Sequence, residues 1–429
     1  MKSIVLSDNR RGWLSFSLVT ITIVVALFAL IIQNANGQGI SSARSVAMGS
    51  AGISLASGAD AARLNPANLG FAQYQLKGVE LVGVGANISN NSFTLSDYNK
   101  YTGAFLTDED KEYILDRVSD DGLKLTAEAE ATALAIAMGP FVFGVAGNGV
   151  ADVNLNKDII DLILNGNTFA DTIEVTGSYS DVIAYASAYL SYGRSLYKSG
   201  SREFAVGATF RYLRGFAVEQ VVELRGIAAT FATGFMGEGN MVIQTATGGS
   251  GYSVDLGAAL KLNDNYTVGG RIRNFVSAIK WTKDTEEHGY YFSFDTMTVD
   301  NMDEDYVVSE DYTEEIGSFT TNLPSVMTLG VAKTSGKLLW AVDWEQGFSS
   351  EVGGTTKPRI SAGAEYSIVS AFPLRMGYSA GGNRNSAFSF GSGFHLPYFF
   401  VDYAFVTGSS LSGYSSKGLN FAVTTGLYF

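Results

Sequence analysis

The chain has 429 residues, of which 17% are charged and 12% aromatic, with 49 glycines and a net charge of −13. Disordered chains are rich in charge and poor in aromatic residues, so this composition excludes a disordered protein, and so many glycines argue against a helical enzyme. The zero Cys and only 2 His exclude disulfide scaffolds, Cys-ligated metal sites and His-rich metal sites, and the acidic balance argues against non-specific binding of nucleic acid.

The first residues carry the features of a targeting signal. Three basic residues precede an apolar run over residues 14–32, and the small residues Ala35 and Gly37 follow at the spacing that a signal peptidase reads. We therefore predict a signal peptide over residues 1–37. An uncleaved membrane anchor is the alternative, because the apolar run is just long enough to span a bilayer.

Residues 38–77 differ in character from the rest of the chain, since they are rich in small residues and only mildly apolar. Such a segment packs closely and suits a plug, or hatch, better than a strand. Within it, Asn65 precedes Pro66 and Ala67, and a residue before proline is pushed out of the helical region. These three residues are candidates for a gate in the hatch, and a plain structural turn is at least as good an interpretation.

Residues 78–429 are dominated by an alternation of apolar with small or polar side chains. In the last twelve residues the odd positions are Leu, Phe, Val or Thr, whereas the even positions are Gly, Asn, Ala, Thr or Tyr. Segments of about 10 residues with one apolar face are typical of transmembrane β-strands. The same period fits a water-soluble sandwich, but the signal sequence, the lack of Cys and the terminal Phe429 favour the barrel.

The number of such segments and the lengths of their connections support the same architecture. Fourteen strands are predicted, an even number as in closed bacterial barrels, and the long connections all fall at one end. We therefore predict an all-β fold: a membrane-spanning antiparallel β-barrel of about 14 strands over 78–429, with the hatch at 38–77. The predicted strands are 78–89, 122–138, 140–153, 182–197, 202–216, 251–262, 266–283, 322–334, 337–347, 358–368, 373–382, 387–396, 399–407 and 418–429.

The long connections, at the outer end of the barrel, contain short helices and most of the negative charge. Thr107 is predicted to cap one helix, and a second is predicted over residues 156–165, with Gly166 after its end. The connection 284–321 contains twelve acids and no Lys or Arg. A solvated, repulsive surface is the simplest interpretation, and binding of divalent cations is the alternative.

Charged side chains also lie on the inward faces of the predicted strands. On the lipid face each charge would cost about 2–4 kcal/mol at the membrane midplane. One interpretation is a paired network that holds barrel and plug together, and the other is binding of a substrate carboxylate or head group. For the second interpretation, the best candidates are Arg271, Arg273 and Arg375.

No constellation of residues indicates catalysis. Residues 377–381 fit the pattern of a nucleophile elbow, but a hairpin loop follows where that motif needs a helix. His288 falls in an outer loop and His395 at a strand end, and neither has a nucleophile and an orienting partner nearby in sequence. We therefore expect no enzyme, no cofactor and no metal.

The segment 38–77 carries a resemblance to a known group of proteins. It contains Met48-Gly49, then Ala-Ser-Gly-Ala-Asp-Ala-Ala over 56–62, then Asn-Pro-Ala over 65–67. This order and spacing resemble the N-terminal signature of the FadL/TodX group of outer-membrane proteins and the related PorV-type proteins. Shorter motifs are similar to those of an uncharacterised subgroup seen mainly in Bacteroidetes-like bacteria: 166–167, 211–215, 280–281, 363–366 and 375–378.

The resemblance implies a barrel in the Gram-negative outer membrane with a hatch inside it. FadL-type proteins move hydrophobic molecules, so the first expectation is a passive channel for hydrophobic or amphipathic small molecules. PorV-type proteins carry secreted proteins, so the alternative is a docking or shuttle protein, or a surface protein without transport. The expected partners are outer-membrane lipid, the substrate or secreted protein, and the barrel-assembly machinery, whose terminal signal Leu427 and Phe429 resemble.

Overall fold

The computed structural model describes residues 40–166, 172–298, 307–369, 371–384 and 386–429. The predicted signal peptide over residues 1–37 lies outside the described residues. Within those ranges, no helix combines the length and the apolar character needed to cross a membrane.

The described residues form nineteen strands, and fourteen of them build a closed antiparallel barrel. Each barrel strand pairs with its neighbours, and the first and last strands close the ring through pairs that run from Gly78 with Tyr428 to Ser89 with Gly418. The predicted barrel of fourteen strands is therefore confirmed. The strands are β1 (Lys77–Asn90), β2 (Leu123–Met138), β3 (Phe141–Leu155), β4 (Thr172–Glu174), β5 (Tyr179–Ser199), β6 (Arg202–Phe231), β7 (Gly234–Ala246), β8 (Gly248–Lys261), β9 (Tyr266–Lys283), β10 (Glu286–Met297), β11 (Val307–Glu315), β12 (Phe319–Thr321), β13 (Val326–Ser335), β14 (Leu338–Gly347), β15 (Arg359–Val369), β16 (Phe372–Gly381), β17 (Ser386–His395), β18 (Phe399–Gly408) and β19 (Gly418–Tyr428).

The order of strands around the barrel follows the chain. It runs β1, β2, β3, β5, β6, β8, β9, β13, β14, β15, β16, β17, β18, β19 and back to β1. In a ring of fourteen, the strand that faces β15 directly is β3, seven places away.

The two faces of the barrel wall differ as the alternation predicts. On β19, Leu419 and Phe421 are about half exposed on the outside, whereas Asn420 and Thr424 are buried inside. The same alternation is seen on other strands, such as β5, where Leu190 is exposed and Tyr189 is buried. The outer surface is therefore a broad band of exposed apolar side chains, and the interior holds the polar ones.

Five strands lie outside the ring, and they correct one prediction. We predicted 284–321 as a loop, but its described part forms β10, β11 and β12, with β10 paired to β7 and β11 paired to β10. Phe292 and Phe294 on β10 lie over Gly239 and Gly237 of β7, where any side chain would collide with the rings. Aromatic rings packed against cross-strand glycines stabilise these strands despite their acidic sequence.

The connection 217–250 also adopts strand structure. β6 continues past the ring to Phe231 and turns into β7, with pairs from Val218–Ala246 to Phe231–Gly234. Together β6, β7, β10 and β11 form a sheet that extends beyond the ring at the end with the long connections.

The described residues also form five short α-helices: α1 (Ala43–Ala47), α2 (Ala59–Leu64), α3 (Leu95–Tyr101), α4 (Asp108–Arg117) and α5 (Lys157–Asn165). The two helices predicted in the long connections correspond to α4 and α5. Thr107 caps α4 as predicted, because its hydroxyl accepts the backbone N–H of Asp110. Gly166 follows α5 with a φ of 73°, a conformation that glycine adopts at little cost.

We expect Thr107→Ala to loosen α4 selectively. A threonine cap contributes about 1 kcal/mol, so amide hydrogen exchange in α4 should accelerate about fivefold while α3 is unchanged. Hydrogen bonds from Thr107 lower the pKa of Asp110 below its usual range. The contribution of this carboxylate is therefore complete at neutral pH and disappears only as the pH falls through that lowered pKa. An equal acceleration of hydrogen exchange in α3 and α4 in the Thr107→Ala variant would contradict the assignment of Thr107 as the cap of α4.

Candidate functional site

Residues 40–76, which we call the lumen segment, lie inside the barrel. Their hydrogen bonds reach strands on different sides of the ring: the backbone N–H groups of Gly52 and Ile53 donate to Asp343 on β14 at 2.7 and 3.0 Å, and that of Ala43 donates to Thr424 on β19 at 3.0 Å. Asn65 donates to the carbonyl of Ala258 on β8 at 3.2 Å. A segment in contact with β8, β14 and β19 at once must cross the lumen.

Asn65, Pro66 and Ala67 form a buried turn against the barrel wall. The Asn65 side chain accepts the N–H of Ala67 at 3.1 Å and starts a 3₁₀ helix over Pro66–Gly70. On the wall, a Cβ at Gly207 would lie 2.4 Å from the Pro66 backbone. The wall therefore carries glycine where the turn approaches most closely.

A buried ion network ties the lumen segment to β1 and β2. Arg63 on α2 donates 2.6 Å hydrogen bonds to both carboxylate oxygens of Glu80 on β1 and a 2.9 Å bond to Thr132 on β2. It also pairs with Asp60 one turn earlier. The side chains of Arg63 and Glu80 are 4% and 3% exposed, so this pair is shielded from water.

A second network holds α1 at the end of the barrel with the short connections. Arg375 on β16 donates to Glu365 on β15 at 2.7 Å and to Asp402 on β18 at 2.6 Å. Glu365 also accepts from Arg44 of the lumen segment at 2.9 Å, and Asp402 contacts His395 at 2.9 Å. These groups line a cavity of about 270 Å³.

Arg271 and Arg273 lie elsewhere, on the other side of the lumen segment. Two cavities there, of about 130 and 120 Å³, share four lining residues, and we call them together the outer cavity. The structure therefore brings Arg271 and Arg273 together but separates both from Arg375. The four shared residues are Glu128, Arg273, Glu345 and Arg359.

The larger part of the outer cavity has an apolar wall. Ile183 and Tyr185 are 1% and 2% exposed and belong to a buried cluster with Leu323 and Val352. The four shared charged residues lie where the two parts meet. The apolar residues that line this part are Val150, Ile183, Tyr185, Leu323, Val326 and Val352.

The polar lining carries charges of both signs. The polar part has three arginines and three carboxylates, and the fourth cation, Lys357, lines the larger part and contacts Asp121 at 3.7 Å. Arg359 contacts Glu345 at 3.1 Å, and Arg271 donates to the backbone carbonyl of Arg63. The cations are Arg271, Arg273, Lys357 and Arg359, and the carboxylates are Glu128, Asp343 and Glu345.

Several polar atoms at this site lack a hydrogen-bond partner among the described residues. They are Nε of Arg271, Nε of Arg359, Oγ1 of Thr328 and Oδ1 of Asp343. Buried polar atoms almost always have a partner, so solvent or a polar ligand must supply these four. The outer cavity is thus an amphipathic pocket with a charged, incompletely bonded end.

Sequence reasoning missed two parts of this site. Glu128 lies on a predicted strand, and its inward position follows from the alternation, so the same argument that found Arg273 was sufficient to find it. Val352 lies in 348–357, which we predicted as an ordinary outer loop, and nothing in its sequence indicates that it enters the lumen.

The C-terminal residues lie at the rim with the short connections. Leu427 pairs with Val79 on β1 and with Phe399 on β18, and it points outward. The backbone N–H of Phe429 donates to the carbonyl of Lys77 at 3.2 Å, and its ring is largely exposed.

Comparison with known proteins supports the fold. The model of a family of unknown function, DUF5723, matches residues 66–234. No curated protein matches the chain. Among solved structures, the toluene transporter TodX of Pseudomonas putida has 14% identity and a TM-score of 0.50, over 92% of this chain and 98% of that one.

Two further solved structures agree with this comparison. The toluene transporter TbuX of Ralstonia pickettii and a FadL homologue of Pseudomonas aeruginosa each have 13% identity and a TM-score of 0.50, over 90% of this chain and 98% of theirs. The similarity extends along nearly the whole of both chains. At this identity it establishes a FadL-type barrel fold.

Proposed function

We propose that the chain is a channel of the Gram-negative outer membrane that passes small amphipathic anions. The observation that carries the proposal is the outer cavity, which joins an apolar wall to a charged end where Nε of Arg271 and Nε of Arg359 lack a hydrogen-bond partner among the described residues. An alkyl or aryl group fits the wall, and a carboxylate fits the end that Arg271 and Arg273 line. Charge-assisted hydrogen bonds of this kind contribute about 1.5–3 kcal/mol each.

The outer surface supports placement in a membrane. Exposed side chains such as Phe405 and Leu419 belong to a band that water would solvate poorly. In a bilayer the same band faces lipid, while the charged residues remain inside. The predicted signal peptide supplies export, and we propose Leu427 and Phe429 as the signal for barrel assembly.

In this proposal the lumen segment acts as the plug, or hatch. It separates the outer cavity from the cavity that Arg375 lines, so a passing molecule requires it to shift. We propose that the turn Asn65-Pro66-Ala67 is the part that moves, which requires the hydrogen bond from Asn65 to the carbonyl of Ala258 on the wall to break. Arg375 then acts as a structural residue of the second network and not as a ligand for substrate.

Uptake of radiolabelled laurate tests the proposal. The chain is expressed in a Gram-negative host whose own fatty-acid channel has been deleted. Laurate uptake by these cells is compared with that of the same host without the chain. Ile183→Trp fills the apolar wall and should reduce uptake several-fold. Leu190→Trp, on the outward face of the same strand, is the matched control and should leave uptake unchanged. Equal uptake with and without the chain would contradict the proposal.

The charge of the substrate has its own test. Arg273→Met should reduce laurate uptake about tenfold, because one charge-assisted hydrogen bond is lost. Uptake of toluene, which has no charge, should change less than about twofold in the same variant. If Arg273→Met loses the uptake of both laurate and toluene, Arg273 shapes the cavity and does not recognise the charge of the substrate. If the natural chain takes up toluene but not laurate, the substrate is a neutral hydrocarbon.

A second candidate function is docking of secreted or surface-attached proteins. The sheet of β6, β7, β10 and β11 favours it, because Glu286 lies directly opposite Glu315 and Glu287 directly opposite Glu314. Like charges in these positions destabilise a sheet, so a basic partner would relieve the repulsion. Mass spectrometry of the molecules that co-purify with the barrel separates this function from transport.

A further inference from the structure

The connection between β14 and β15, residues 348–357, crosses the lumen and touches the opposite wall. A Cβ at Gly353 would lie 2.5 Å from the side chain of Val150 on β3. β3 is the strand that faces β15 directly across the ring. A connection that leaves one wall and contacts the wall seven strands away must close over the outer cavity.

Three contacts hold the connection in this position. Val352 is 4% exposed and packs into the buried cluster of Ile183, Tyr185 and Trp281. Its backbone N–H donates to Asp181 on β5 at 3.0 Å. On the side of the barrel where the connection starts, the side chain of Asn383 donates to the carbonyl of Gly354 at 3.1 Å.

The closed arrangement also stores backbone strain. Val352 has a φ of 51°, and a β-branched residue is rarely found in this left-handed region. Such strain persists only where surrounding contacts impose it, and it is typical of segments with two arrangements. Here the cluster and Asp181 impose it, so release of either favours a connection withdrawn from the lumen.

We propose that residues 348–357 are the outer gate of the channel, closed in this structure and latched by Val352. The inference rests on the proposed function, since it regulates access to the same cavity. The lumen segment closes the cavity from one side, and the gate closes it from the other. A molecule from outside reaches the apolar wall only when the gate withdraws.

A disulfide tests the gate directly, because the natural chain has no Cys that would compete. The Cβ of Val150 and a Cβ at Gly353 are 3.9 Å apart, close to the mean separation in disulfides. Val150→Cys combined with Gly353→Cys should therefore lock the gate when oxidised. Laurate uptake should fall to about a tenth of its value in the reduced protein, and the two single variants, which cannot cross-link, are the controls.

An accessibility measurement tests the gate independently of any substrate. Ile183→Cys places one thiol in the cavity, and a membrane-impermeant maleimide is added to intact cells. Val352→Asp should speed labelling about tenfold or more, because a carboxylate is disfavoured in the apolar cluster. Gel migration before and after heating confirms that the barrel is folded, and Ser412→Cys, at an exposed residue, controls for reagent access.

The two measurements separate the possible failures. Unchanged labelling in Val352→Asp, or full uptake through the oxidised disulfide, overturns the gate. Fast labelling in Val352→Asp without laurate uptake in any form supports the gate and overturns the proposed function.

Discussion

Replacing Glu80 with Ala is expected to release the lumen segment from the wall without unfolding the barrel. The substitution leaves Arg63 buried without its bidentate partner, and breaking a buried pair from one side costs about 3–5 kcal/mol. Amide hydrogen exchange in residues 59–64 should then accelerate about a hundredfold or more. Exchange in strands that do not contact Arg63, such as β17, should change little.

A double variant separates the ion pair from the packing around it. Replacing both Arg63 and Glu80 with Met removes the two most deeply buried charges together and leaves Asp60, which is 21% exposed, to be solvated by water. Apolar replacement of a whole buried pair is often neutral. Exchange in residues 59–64 should return most of the way to the natural rate. If Glu80→Ala alone leaves that rate within about twofold, the pair does not hold the lumen segment in place.

Replacing Arg375 with Met is expected to destabilise the barrel and to leave ligand affinity intact. The change removes the partner that Glu365 and Asp402 share, and both carboxylates lie inside the wall. A loss of about 3–5 kcal/mol follows from breaking such a network from one side. It is measured as a lower temperature for the heat-dependent shift of the barrel on a gel.

The comparison with Arg273 makes this result specific. Arg375→Lys keeps the charge and should retain part of the stability, although lysine lacks the fork that reaches two carboxylates at once. Laurate binding by folded Arg375→Met should match that of the natural chain, whereas Arg273→Met should bind about tenfold more weakly. Equal losses of affinity in the two variants would contradict the separation of the two sites.

The barrel was predictable because its signal is local. A strand with one face toward lipid or solvent and one toward a packed interior alternates with period two, and β19 displays this in consecutive residues. Glycines, turns and connection lengths then fix the number of strands and the end at which the long connections lie. The inward charges follow from the same alternation, which is why the sequence predicts Arg271 and Arg273 to face the interior.

The pairing of those charges was not predictable, since it depends on distant parts of the chain. Arg44 and Glu365 are separated by 321 positions and meet only because the lumen segment lies inside a closed ring. Arg375 illustrates the consequence: on sequence alone it is equivalent to Arg271, yet the structure gives it two carboxylate partners. The strands β10 and β11 were not predicted for a different reason. Their many acidic residues are typical of a loop, and the packing of Phe292 and Phe294 against glycines of β7 is not visible in the sequence.

The path of residues 348–357 across the lumen also has no local signal. Its Gly and Ser content is that of an ordinary loop, and the contact with Val150 exists only when β3 and β15 face each other. Contacts of this kind depend on how the barrel closes, and the sequence of the segment alone does not determine them.

The most direct test of a channel for amphipathic anions is to identify what the barrel carries. The chain is purified from its native outer membrane in mild detergent, and co-purifying molecules are measured by mass spectrometry. The expected result is an amphipathic anion in stoichiometric amount, lost in Arg273→Met and retained in Arg375→Lys. A stoichiometric secreted protein with an empty lumen would contradict transport and establish docking.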